Sequence, residues 1–300
     1  MFCITQRSPA SFAKSEHCSI GCSVLTPLVA RLRWVMMAAI VCSLLLTLCG
    51  QPASFWHDPT TAMRGDGQSI YAATNHAFDF FLGHGAVPFI ATNLVYMMMA
   101  FCVVSRLPRT AALIAIFSMI FAHGYSATNW LVVRFHFGIG ASPASYATLM
   151  GTLMSFAILP IWERPRTIIH AWRWIMVAAM FIDFTNTLIG QPASYWHDAA
   201  AQHEANALSR LFLGRGWIYY LGLNVILAVG EFVLVTILPL PIAFVCAFAF
   251  TFGSFVGASN WFFYEWRMGW IAPVAYGVIL STLMVWFAFQ DGPRKEKAAS

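Results

Sequence analysis

Gly50-Gln51-Pro52-Ala53-Ser54-Phe55-Trp56-His57-Asp58 returns later in the chain as Gly190-Gln191-Pro192-Ala193-Ser194-Tyr195-Trp196-His197-Asp198, with Phe for Tyr the one exchange. Repetition at this level marks a tandem duplication. The matching continues outward from both strings. Arg33-Trp34 pairs with Arg173-Trp174, and Phe81-Leu82-Gly83-His84-Gly85 with Phe212-Leu213-Gly214-Arg215-Gly216 after a shorter intervening loop. Asn93 then pairs with Asn224, Pro108 with Pro239, Asn129-Trp130 with Asn260-Trp261, and Tyr146 with Tyr276.

Composition places these copies in a bilayer. Apolar residues make up 59% of the 300-residue chain, charged residues 10%, and the mean hydropathy is +0.68. A water-exposed surface draws on about a quarter charged residues, so lipid must cover most of the exterior. Eight apolar stretches approach the roughly 20 residues that a helix needs to cross hydrocarbon. They are 33–50, 84–105, 110–132, 144–162, 171–190, 215–237, 240–262 and 269–289. No alternating pattern of a membrane barrel is present. The expected fold is an all-α polytopic membrane protein of eight transmembrane helices.

Four spans per copy return the chain to its starting side. The copies, 31–162 and 171–291, therefore insert with the same polarity and relate by a pseudo-twofold axis along the membrane normal. With both termini cytoplasmic, twelve of the 17 Lys and Arg residues fall inside, leaving Arg64, Arg134, Arg210, Arg215 and Arg267 outside. This obeys the positive-inside rule. It sets the protein in a cell (inner) membrane with both repeated strings on the outer face. Residues 1–30 read as a disordered cytoplasmic tail and 292–300 as a basic one. His17, Cys18 and Cys22 lack the spacing of a zinc site, and the cysteines within spans read as small hydrophobes.

Each string reads as a helix stop at Gly and Pro, a cap at Ser54 and Ser194 for a short interfacial helix, and an indole at headgroup depth. A bare turn does not require the His-Asp pairs, so His57, Asp58, Trp196, His197 and Asp198 are candidates for a ligand-binding mouth. Polar groups within the spans add His84, His123, Asn129, Asp183, Arg215 and Asn260, since intramembrane polar residues face partners or cavities. These cluster in the outer half, and Glu231 lies deeper. The copies also differ: His84 becomes Arg215, His123 becomes Ser254, Ser43 becomes Asp183 and Arg134 becomes Glu265. An Asp183–Arg215 pair is the simple structural reading of that exchange.

His84 and His123, placed on adjacent spans at similar depth, are the one candidate pair for a metal. They lack the paired spacing on a single helix face with which bundles build such sites, so no metal is assigned and the cofactor is unknown. Ala122-x-x-x-Ser126 and Gly253-x-x-x-Gly257 predict a close crossing of the third and seventh spans. No phosphate loop, nucleophile elbow or zincin motif occurs, and no basic aromatic patch for nucleic acid.

Three functions fit. One is an outward-facing pocket that binds, or acts on, a small polar or lipid-linked ligand. Another is a secondary transporter using Asp183 and Glu231. The last is a structural subunit, docked on membrane-protein partners or a homo-oligomer. The pocket is the preferred reading. Lipid is the expected partner throughout.

Overall fold

The computed structural model describes residues 13–62, 80–162, 165–204 and 206–289, with side chains from Pro27 onward except Tyr264. The described residues form helices and no strands. These are α1 (Ala13–Cys49), α2 (Ala86–Arg106), α3 (Arg109–Val133), α4 (Ala141–Ile158), α5 (Pro165–Ile189), a short α6 (Ala207–Leu213), α7 (Trp217–Ile237), α8 (Leu240–Asn260) and α9 (Ile271–Phe289). Seven of them are long and apolar enough to cross a membrane. The protein is therefore a multi-pass integral membrane protein. Large apolar side chains such as Met98, Val229 and Ile237 point outward, as a lipid-facing surface requires.

Two differences from the sequence reading concern boundaries. Helix α1 starts at Ala13, within the stretch expected to be a disordered tail, and runs through Pro27. Helix α4 starts earlier than the expected span 144–162 and ends at Ile158. It carries Ser142, Ser145, Thr148, Thr152 and Ser155 and is not among the seven.

Local chemistry sets the helix ends alike in both copies. Gly85 (φ 111°) and Gly216 (φ 115°) precede α2 and α7, a backbone region open to glycine at little cost. Leu107 and Leu238 are extended before Pro108 and Pro239, as the proline ring demands of the preceding residue. His136 (φ 55°) and Arg267 (φ 50°) take the same left-handed turn after α3 and α8. Gly50 and Gly190 lie flat against indoles: a Cβ added to Gly50 would stand 2.5 Å from the Trp130 ring, and one on Gly190 would collide with Trp261. This explains the helix-stop glycines by close approach rather than by turn conformation.

In the first half of the chain α1 packs mainly on α3 and is flanked by α4 and α2; in the second, α5 packs mainly on α8 and is flanked by α9 and α7. Between them, α4 packs on α8 and α9 on α3. Phe117, Phe121, Phe244, Phe248, Phe252 and Phe255 fill the centre, fully buried. Along this seam Phe121 meets Phe248, Phe252 and Phe255, Tyr125 meets Phe255, and the Tyr125 hydroxyl donates to Asn260 Oδ1 at 3.0 Å. Residue numbers rise together, so α3 and α8 run parallel. Through Trp130 and Trp261, both repeated strings then lie at one end of the bundle.

The small-residue crossing of these helices is corrected. Phenylalanine rings, not close backbones, join α3 to α8. Gly257 instead faces Asp183 of α5, and Gly253 faces open space.

At the opposite end, Arg33 donates to the Ser105 hydroxyl and covers the Phe101 ring, its Cζ 4.6 Å from the centroid. Arg173 repeats this with Thr236 (3.2 Å) and Phe232 (4.5 Å). The clamps tie α1 to α2 and α5 to α7, combining cation–π attraction with a hydrogen bond.

Candidate functional site

The repeated strings are built as turns. Ala53–Trp56 and Ala193–Trp196 are short 3₁₀ helices preceded by Pro52 and Pro192, without a side-chain cap. The caps expected from Ser54 and Ser194 are absent, because the serines lie inside the turn. Asp58 and Asp198 do the capping, one turn later, by accepting from the Thr60 and Ala200 amides, each at 2.9 Å. The Thr60 hydroxyl and amide together hold the Asp58 carboxyl below the usual range. Phe55 and Tyr195 are buried while Trp56 and Trp196 are exposed. His57 and His197 are also exposed. Asp58 and Asp198 thus have a structural task, and none of these string residues belongs to the wall of the cavity described below.

The polar residues of the first copy do not converge either. His84 is exposed, bonds the Phe80 carbonyl at 2.8 Å and lies against the Phe80 ring. His123 instead pairs with Tyr96, ring nitrogen to hydroxyl, at 3.2 Å. His84 precedes the start of α2 at Ala86, and Tyr96 lies ten residues into it, which separates the two histidines by on the order of 15 Å along the helix axis. The expected similar depth is corrected, and with it the geometric basis of a shared metal. Among the described residues no three His, Cys, Asp or Glu side chains gather as a metal site would. Asn129 is buried beside the Tyr125 hydroxyl. Arg215 is exposed and pairs with no carboxylate among the described residues, Asp183 included.

A cavity of about 650 Å³ lies between α5, α7, α8 and the start of α4. Asp183 and Asn260 line it, as does Glu231. Its mouth is made by His203, Glu204, Asn206 and Glu265, beside the end of the bundle that carries the strings. Glu231 lies on the order of 20 Å of helix below Trp217. No residue from the far ends of α5, α7 or α8 contributes to the lining.

Each wall has a local cause. Gly257 makes room for Asp183: a Cβ there would stand 2.5 Å from Asp183 Oδ1. Thr187 Oγ1 donates to the Asp183 carbonyl at 3.0 Å, and Gln191 reaches back to Thr187 at 2.9 Å. Gln191 also fixes the mouth by bonding both the His203 carbonyl (3.1 Å) and its amide (2.8 Å). A π-turn at Trp261–Glu265 brings Glu265 to within 3.6 Å of His203 Nδ1. Tyr220 is buried beside Asp183, Thr187 and Asn224.

Tyr96 and His123, bonded to each other, stand where the second copy has Leu227 and Ser254, both lining residues. Ser43 stands for Asp183, Ala100 for Glu231 and Arg134 for Glu265. The exchange of His123 for Ser254 thus replaces a bonded ring by a small hydroxyl on the cavity wall. Sequence reasoning missed His203, Glu204, Tyr220 and Glu265; the swap of Arg134 for Glu265 was the available signal.

No protein-family model matches the chain, and no curated protein or solved structure is similar to it.

Proposed function

We propose that the chain is an eight-span, 4+4 parallel-repeat protein of the inner membrane, termini cytoplasmic, whose second half binds a small polar ligand in an outward-facing intramembrane pocket. α4 serves as the eighth span. The packing of α1 with α3 and of α5 with α8, and the reciprocal contacts of α4 with α8 and α9 with α3, support the repeat.

One observation carries the ligand reading: a cavity of about 650 Å³ lined by Asp183, Asn224, Glu231 and Asn260 within otherwise apolar helices. Small-molecule sites span about 300–1,000 Å³ and combine apolar walls with a few convergent polar groups. Intramembrane carboxylates that line a cavity belong to ligand or ion paths more than to packing. Gly253 provides the test, because a Cβ there meets nothing within 4 Å. Gly253→Leu projects into the cavity. Protein in nanodiscs is screened by thermal shift against small polar compounds. Stabilisation of wild type that Gly253→Leu abolishes supports the reading; equal response of both proteins contradicts it.

Transport is the second reading, favoured by Glu231 lining the same cavity as Asp183. It requires a path onward to the inner face, and proteoliposome flux of any stabilising compound decides it.

A further inference from the structure

The lining of the second-copy cavity is lopsided in charge. Asp183, Glu204, Glu231 and Glu265 contribute carboxylates, and the one basic lining side chain among the described residues is His203, engaged with Glu265 at 3.6 Å. No Lys or Arg takes part. Glu231 Oε2 is buried and accepts no hydrogen bond among the described residues. A carboxylate held in a bilayer without a cation or donor is expensive to keep. Tyr220, Phe250 and Trp261 provide aromatic wall on the same cavity, the second element of ammonium recognition. The first half has Ser43 and Ala100 at the positions of Asp183 and Glu231, and the bonded Tyr96–His123 pair at those of Leu227 and Ser254.

We infer that the cavity takes an organic cation whose ammonium or amidinium groups meet Asp183 and Glu231 while its carbon frame lies on the aromatic wall. This rests on the pocket reading above and names its ligand class. The carboxylates are distributed from the mouth to a point deep in α7, which favours a chain-like cation with more than one charged nitrogen. A bare metal ion is a poorer fit, since no three ligating side chains gather. The same ammonium chemistry is offered by free amines and by ethanolamine lipids.

The test uses the full chain in nanodiscs with spermidine, putrescine, tetramethylammonium and neutral 1,4-butanediol, each with and without phosphatidylethanolamine in the bilayer. Spermidine and putrescine should raise the melting temperature and butanediol should not. Asp183→Asn and Glu231→Gln should each weaken diamine binding about tenfold or more, the loss expected for a charge-assisted contact. Stabilisation by ethanolamine lipid alone, lost in both variants, assigns the cation to the headgroup. Butanediol binding as well as putrescine, with both variants indifferent and Gly253→Leu still blocking, overturns the cation and leaves the pocket standing. If Gly253→Leu matches wild type with every probe, the pocket itself fails.

Discussion

Phe121 and Phe252 occupy equivalent positions of the two copies and touch each other, their ring centroids 5.9 Å apart. Equivalent residues meet where a twofold axis passes between them. Phe121 also packs on Phe255, and the counterpart contact puts Phe252 against Gly124, where a Cβ would lie 2.5 Å from its ring. In the proposed 4+4 repeat these contacts put the pseudo-twofold axis in a phenylalanine seam between α3 and α8.

Truncation at this seam should be costly. Phe121→Ala and Phe252→Ala each remove a fully buried ring, and such deletions cost about 3–5 kcal/mol in packed cores. Because the two rings touch, the double variant should lose less than the sum of the single losses. Thermal unfolding of the four proteins in detergent measures both effects.

Gly50→Ala and Gly190→Ala drive a methyl group into Trp130 and Trp261 respectively. Overpacking of this kind costs about 1–3 kcal/mol, so both should lower the melting temperature. Only Trp261 lines the cavity. Gly190→Ala should therefore also weaken ligand-dependent stabilisation, and Gly50→Ala should leave it intact.

Tyr96→Leu with His123→Ser gives the first copy the side chains of the second and should open a void. The hydrogen bond between them, 3.2 Å long, should show as a coupling of about 0.6–1.7 kcal/mol, the range of interhelical bonds in membranes. A double-mutant cycle on thermal stability reads it directly.

The Asp58 turn should depend on pH. Its carboxyl is held below the usual range by the Thr60 hydroxyl and amide. A depressed native value means the contribution is complete above the unfolded value of about 3.9 and is lost as pH falls through the lower native one. Protection of the Thr60 amide from hydrogen exchange, corrected for intrinsic rate, should fall across that window. Asp58→Asn should show no such dependence.

The sequence made the membrane class and the helix positions legible, because length and hydropathy decide which segments cross. It also displayed the string, the paired Arg33-Trp34 and Arg173-Trp174, and the paired Asn129-Trp130 and Asn260-Trp261. It did not show what they do. The partners of Arg33 and Arg173, namely Phe101 with Ser105 and Phe232 with Thr236, are ordinary residues that gain meaning only when α1 meets α2 and α5 meets α7.

The site was legible only in part for a related reason. Depth along a span follows from residue count, but direction around it does not when the helix is apolar on every side. Residue count placed His84 with His123, but His84 precedes the start of α2 and reaches the surface, whereas His123 bonds Tyr96 well inside that helix. Asp183, Glu231 and Asn260 were found because polar groups stand out in apolar helices. His203 and Glu204 lie in a loop, and Glu265 in a π-turn. Hydropathy carries no information in either place, and the loop is tied to the pocket through Gln191 and the His203–Glu265 contact.

The parallel arrangement of the two halves is tested most directly by placing single cysteines at Trp56 and Trp196 in an otherwise cysteine-free protein. Both side chains are exposed, and intact cells are treated with a membrane-impermeant maleimide. The account predicts that both positions label from outside; labelling of one from outside and the other only after the membrane is opened would contradict it.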